Sequence, residues 1–215
     1  GGVGLIILES MAIHPTGKMS RRFVNAWDPA VVPGLGRIAD AVHAHGAKLF
    51  GQLTHGGHTS LEHPPHIMWA PTQMPEPSSH HSTKAMDEDD IRAVIEGFAA
   101  SARNLVDAGL DGIEIKIAHD GLLRSFASPY FNRRTDAYGG SFENRMRLSH
   151  EVIAAIKRAT GPDVPLGVRI CVNEFTPFGY DTEYGLDMVR ALEATGLVDY
   201  FNSDAGSFSS YWMEI

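Results

Sequence analysis

Residues Gly112–Gly140 read GIEIKIAHDGLLRSFASPYFNRRTDAYGG, and their opening decides the fold. Ile113, Ile115 and Ile117 alternate with Glu114 and Lys116, the period-two pattern of a β-strand with one apolar and one charged face. A parallel strand covered by helices on both sides is apolar throughout. A strand that keeps a carboxylate and an ammonium on one face fits a barrel, whose outer face packs on helices while its inner face looks into the lumen. The pattern recurs in Pro165–Ile170, PLGVRI. There Leu166, Val168 and Ile170 share one face, and Gly167 and Arg169 the other.

Outward from this strand the chain alternates. Asp87–Gly109 predicts a helix, with acidic residues crowding its first turn and a stripe of Ile91, Val94, Ile95, Phe98, Ala102 and Leu105. Ser141 caps a helix to about Lys157, buried through Met146, Ile153 and Ile156. A strand (Val164–Cys171), a helix (Thr182–Gly196) and a strand (Val198–Ser203) follow. Toward the N-terminus, Val3–Ser10 is an apolar strand. Asp28-Pro29 starts a helix that Gly46 stops, and Ala47–Leu53 is a strand. Thr54–Ala85 reads as a long polar loop rich in His and Pro. Such alternation means a parallel α/β sheet, either doubly wound or a (β/α)8 barrel. The charged strand faces select the barrel, whose chemistry sits at the C-terminal strand ends. Residues 1–215 read as one partial barrel domain, truncated at both ends, since the chain opens on a strand already under way and closes without a helix.

The composition bounds the partners. With 215 residues, 43% hydrophobic and net charge −8, the chain reads as a globular domain with no nucleic-acid partner. Its single cysteine, Cys171, excludes an internal disulfide and any zinc-thiolate or iron–sulfur site built from this stretch alone. No apolar run approaches the roughly 18 residues a bilayer span needs. No signal peptide is visible, and a cytoplasmic location is expected.

The segments LIILES, GQLTHGGH, EIKIAHDGLL, SPYFNRRTDAYGGSFENRMRL and PLGVRI resemble the old yellow enzyme family of FMN-dependent oxidoreductases. KIAHDGLLRSF is similar to the branch holding dienoyl-CoA reductases, trimethylamine dehydrogenase and N-methylproline demethylases. The resemblance covers essentially the whole chain and implies an incomplete (β/α)8 TIM barrel with its second to sixth strands present. It implies FMN as cofactor, with Ser10 near the flavin pyrimidine, Gln52 hydrogen-bonded to the pyrimidine edge and Arg169 near N1 and O2. The family's phosphate site follows the seventh and eighth strands, outside this chain. So, in larger relatives, do 4Fe-4S and FAD regions. A guanidinium at N1 suits the negative charge of a reduced flavin. Read as plain structure, Gln52 is a core amide and Arg169 an ion-pair partner of Glu114.

The family's substrate-anchoring pair, His-x-x-His or His-x-x-Asn, stands here as Lys116-x-x-His119. Such a pair can hold a carbonyl oxygen or carboxylate and stabilise an oxyanion. The alternative for Lys116 is a core salt bridge to Glu114. Gly121 occupies the position where many ene-reductases carry a proton-donating tyrosine, and Asp120 reads as a turn residue. His55, His58, His63 and His66 lack the companions of a metal site, and no metal is expected. Arg133-Arg134-Thr135-Asp136 reads as a structural loop. Three readings follow: an FMN-dependent, NAD(P)H-fed reductase of an activated alkene or enoyl thioester; an FMN-dependent oxidative demethylase or dehydrogenase of N-methylated amines or amino acids; and a catalytically silent barrel, against which Gln52, His119 and Arg169 argue. The partner is a small molecule, with oligomeric state left open.

Overall fold

A computed structural model describes residues 2–60, 67–75, 82–119, 121–207 and 210. One all-parallel sheet is built from β1 (Leu5–Ala12), β2 (Lys48–Thr54), β5 (Gly112–Ile117), β6 (Leu166–Cys171) and β7 (Tyr200–Asp204). Between β2 and β5, the two-residue strands β3 (Trp69–Ala70) and β4 (Lys84–Ala85) pair with each other. The large sheet runs β1-β2-β5-β6-β7, so strand order follows chain order. A doubly wound sheet reverses its order at a switch point. This one never does, which makes it an arc of a barrel wall.

Helices α1 (Val32–His43), α2 (Glu88–Asp107), α4 (Phe142–Thr160) and α5 (Thr182–Glu193) connect the strands, with the short α3 (Leu122–Ala127) leading into α4. Their starts follow from the caps. The Asp87 carboxylate accepts from the Asp90 N–H while Asp90 accepts from the Asp87 N–H, a reciprocal capping box. Ser141 accepts from the Asn144 N–H. Asp28 caps a 3-10 turn, Pro29–Val31, that leads into α1. Helix α3 was expected as loop: its six residues are too few to show a helical period, and all six are buried. The polar stretch from Thr54 to Ala85 gains the β3–β4 ladder. No helix among the described residues is long and apolar enough to cross a membrane.

The outer face of the sheet is the core. Ile113, Ile115, Ile117, Leu166, Val168 and Ile170 are essentially fully buried, in one cluster with Phe98 and Leu105 of α2 and Ile153 and Ile156 of α4. Each such side chain contributes about 1.5–3 kcal/mol of burial. The other face carries Gln52, Glu114, Lys116 and Arg169, as the alternation predicts. Lumen space is tight low in the arc. A Cβ on Gly167 would lie 2.0 Å from the Tyr200 ring, so only glycine fits opposite that tyrosine.

Strand β1 pairs unevenly with β2. Leu8 faces Gly51 and Met11 faces Leu53, so Glu9 and Ser10 together oppose Gln52. This is a β-bulge at the C-terminal end of the strand. A Cβ on Gly51 would meet Met11, Leu105 and Leu110, so Met11 belongs to the helix-facing side. Ser10, its neighbour, falls on the side of Gln52.

The opposite end of the sheet is pinned by Asp111. Its carboxylate accepts from Lys48 Nζ at 2.7 Å and the Leu49 N–H at 2.9 Å, and meets His43 Nε2 at 2.6 Å. Burial pulls its pKa up, but these hydrogen bonds outweigh it, and the net value falls from 3.8 to about 2. A depressed carboxylate stabilises the fold above its unfolded pKa and loses that contribution as pH drops toward its folded one. The stability difference between wild type and Asp111→Asn should therefore be full above about pH 5 and shrink between about pH 4 and pH 2. Urea titrations across that window check it; a constant difference would contradict it.

Candidate active site

The C-terminal ends of the strands bring the expected residues together in rungs, because paired residues of parallel neighbours share a face. Gln52 pairs with Glu114 across β2–β5, and Glu114 with Gly167 across β5–β6. One rung higher, Lys116 pairs with Arg169 and Arg169 with Asn202. At the top, Cys171 pairs with Asp204. Gln52, Lys116 and Arg169 thus share the lumen face, with Ser10 beside them in the bulge. His119 follows at the β5 exit.

Glu114 organises the lower rung. It is fully buried, and its carboxylate accepts from Gln52 Nε2 at 2.6 Å, the Tyr200 hydroxyl at 3.0 Å and Asn202 Nδ2 at 3.3 Å. Burial, then the neighbouring Glu114 charge, pushes the Tyr200 phenol up, so it stays a donor. The Gln52 amide is thereby oriented. Its nitrogen is spent on Glu114, and its oxygen remains an acceptor at the half-buried lumen surface.

The expected alternative for Arg169, an ion pair with Glu114, is corrected by the structure. Arg169 Nε donates to Asp204 Oδ2 at 2.9 Å. The register explains this: Glu114 lies opposite Gly167, two residues below Arg169, while Asp204 stands above it at the end of the next strand. Among the described residues no acceptor engages the terminal nitrogens of Arg169.

Asp204 and Asn202 were missed by sequence reasoning. The Asp204 side chain is 1% exposed, and its Oδ2 also lies 3.4 Å from His119 Nε2. Its Oδ1 is buried without a hydrogen-bond partner among the described residues. His119 sits at φ +47, a left-handed conformation uncommon for a side-chain-bearing residue and frequent at functional sites. The signal was present in the sequence: VDYFNSD alternates, with Tyr200, Asn202 and Asp204 on one face.

Gly121 opens α3 at φ −65, a conformation open to any residue. A Cβ there would lie 3.3 Å from the Ala118 carbonyl oxygen, a tight but not forbidding approach. Asp120 lies outside the described residues. So do His63 and His66.

The remaining histidines are packed into the wall. His55 Nδ1 accepts from the Gly57 N–H at 3.0 Å, its Nε2 lies 3.0 Å from Thr16 Oγ1, and its ring stacks on Trp69. The His55 carbonyl accepts from the Leu122 N–H, fastening β2 to α3. His58 bonds Ser125 at 3.1 Å and stacks on Phe131. Among the described residues no group of His, Cys, Asp and Glu could hold a metal ion. Arg134 pairs with Asp136 and also donates to the Pro71 and Met86 carbonyls, so that part of the loop is structural.

Behind the site lies a second ionic pair. Arg124 of α3 donates to Glu174, which follows β6, and both side chains are at most 1% exposed. Glu174 also accepts from Ser128 Oγ at 2.9 Å and the Tyr180 N–H at 3.0 Å. Arg124 lies over the Phe131 ring at 4.6 Å.

These groups fit an FMN ring. The Gln52 carbonyl can accept the pyrimidine N–H, and the terminal nitrogens of Arg169 suit the N1–O2 edge. Three comparisons with known proteins agree. The model of the NADH:flavin oxidoreductase / NADH oxidase family matches residues 1–198. N,N-dimethylglycine/sarcosine dehydrogenase of Chromohalobacter salexigens is 39% identical over 182 residues, covering 83% of this chain and 26% of that protein. NADPH dehydrogenase of Geobacillus thermodenitrificans is 37% identical over 207 residues, covering 96% and 59%. Among solved structures, 2-naphthoyl-CoA reductase with 2-naphthoyl-CoA superposes with a TM-score of 0.93 at 27% identity, covering 97% of this chain and 34% of that one. Morphinone reductase in complex with tetrahydroNAD gives 0.82 at 29%, covering 93% and 60%. The chain spans well under two thirds of each of these proteins.

Proposed function

Because the chain belongs to the NADH:flavin oxidoreductase / NADH oxidase family, we propose that it forms the catalytic wall of an FMN-dependent, NAD(P)H-fed reductase of an activated alkene or enoyl thioester. The observation that carries this is the Lys116–Arg169 rung at the strand ends. Two cations side by side, Arg169 held by the Asp204 carboxylate, favour negative charge at this place. Ser10, Gln52 and Arg169 hold and orient the flavin ring. Lys116 and His119 bind the substrate oxygen and stabilise the charge that builds there. Bound FMN supplies the hydride chemistry. Asp204 fixes the His119 imidazole and the Arg169 guanidinium at once.

A second reading rests on Gly121, which carries no proton donor. An oxidative demethylase of N-methylated amino acids needs none at that place, and Lys116 would bind the substrate carboxylate. The similarity to N,N-dimethylglycine/sarcosine dehydrogenase supports it. Anaerobic addition of NADPH to the full-length protein should bleach the visible flavin band, and an α,β-unsaturated thioester should restore it. Bleaching by sarcosine but not by NADPH or NADH would overturn the reductase in favour of the demethylase.

A further inference from the structure

Two features of the loops beyond the strand ends take no part in the site described above, and one residue joins them. The first is an aromatic platform. Tyr130, after α3, and Phe178, after β6, stack at 6.0 Å with planes 16° apart. Phe178 is 74% exposed. The Arg133 guanidinium lies 5.7 Å from the centre of the Tyr130 ring. The second feature is a cavity of about 250 Å³ lined by Thr72, Arg133, Arg134, Thr135 and Asp136 among others.

The two arginines there differ in kind. Arg134 is consumed by Asp136 and the Pro71 and Met86 carbonyls. Arg133 is held only from behind: its N–H donates to Thr72 Oγ1 at 2.9 Å and its Nε to the Tyr130 carbonyl at 3.3 Å. Among the described residues no acceptor engages its terminal nitrogens. An unspent guanidinium fixed on a chain of net charge −8 is a local exception to an acidic surface. A flat exposed ring with a cation beside it matches what a nucleobase and its phosphate require. All of these loops follow strand C-termini, on the face that holds the active site.

We propose that Phe178, Tyr130 and Arg133 bind a phosphorylated adenosine, with the base stacked on Phe178 and a phosphate on Arg133. This rests on the reductase reading and narrows it, since such a group is carried by two molecules that reading admits: NAD(P)H and an acyl-CoA thioester. The base recognition is common to both, and the position of the phosphate separates them.

The test is calorimetric titration of full-length, FMN-loaded protein with 2′,5′-ADP, the phosphate pattern of NADPH, with 5′-ADP, shared with NADH, and with adenosine 3′,5′-bisphosphate, that of CoA. Phe178→Ala should weaken binding roughly tenfold, the scale of losing one base–aromatic stack, and Phe178→Trp should restore it. Arg133→Ala should weaken a bisphosphate more than 5′-ADP if its extra phosphate is the one held. All three residues are at least partly exposed, so these variants should fold. The nucleotide whose affinity falls identifies the source, and the matching KM should rise with little change in kcat. Unchanged affinity for all three nucleotides in both alanine variants would overturn the proposal. Binding is read without turnover, so failure of the redox reading is separable from failure of this site.

Discussion

Glu174→Ala should destabilise the protein by roughly 3–5 kcal/mol, the cost of breaking a buried ion pair. Arg124 would keep its charge in a place where its side chain is wholly buried. Ser128 Oγ and the Tyr180 N–H would lose their acceptor as well. Arg124→Met combined with Glu174→Met should recover much of the loss, since replacing both charges by apolar groups of similar size is often neutral. Urea unfolding of the two variants decides it. A single variant within about 1 kcal/mol of wild type would show that water reaches the pair and that the burial argument fails.

Lys116→Ala should lower turnover by roughly 10²–10³-fold, the range for one oxyanion donor, while flavin stays bound. Lys116→His, which restores the family's commoner pair, should retain more activity. The competing account made Lys116 the partner of Glu114. That account predicts lost stability with normal turnover. The structure weakens it, because Glu114 already accepts from Gln52, Tyr200 and Asn202 and would not be stranded. Melting temperature and turnover per bound flavin, measured together, separate the two. A large fall in melting temperature with unchanged turnover would make Lys116 a structural residue.

Much of this was legible in the order of residues. GIEIKI shows its two faces by alternation, Ser141 and Asp28 announce helix starts by cap chemistry that acts over two or three residues, and the acidic residues from Asp87 to Asp90 announce a third through the helix dipole. Gln52, Lys116 and Arg169 could be placed on the lumen face because period-two patterning fixes facing without knowledge of neighbours. What stayed hidden depends on register between strands. Arg169 meets Asp204 rather than Glu114 because β6 and β7 align as they do, and nothing local encodes that alignment. Arg124 and Glu174 lie 50 residues apart and pair through packing of α3 on the β6 exit. Short, wholly buried α3 looked like loop because a single charged residue inside it masked its burial.

The bulge at Glu9–Ser10 carries a consequence of its own. A strand is a two-stroke code, and one additional residue inverts the phase of all that follows. Substitutions at Glu9 or Ser10 alter only their own side chains. Deleting either residue would restore even pairing with β2, and the residues after the bulge would then have to exchange the helix-facing side for the lumen or slip out of register. The length at this place is therefore fixed by the fold whatever side chains it carries, and a gap there would mark a change of architecture rather than of specificity.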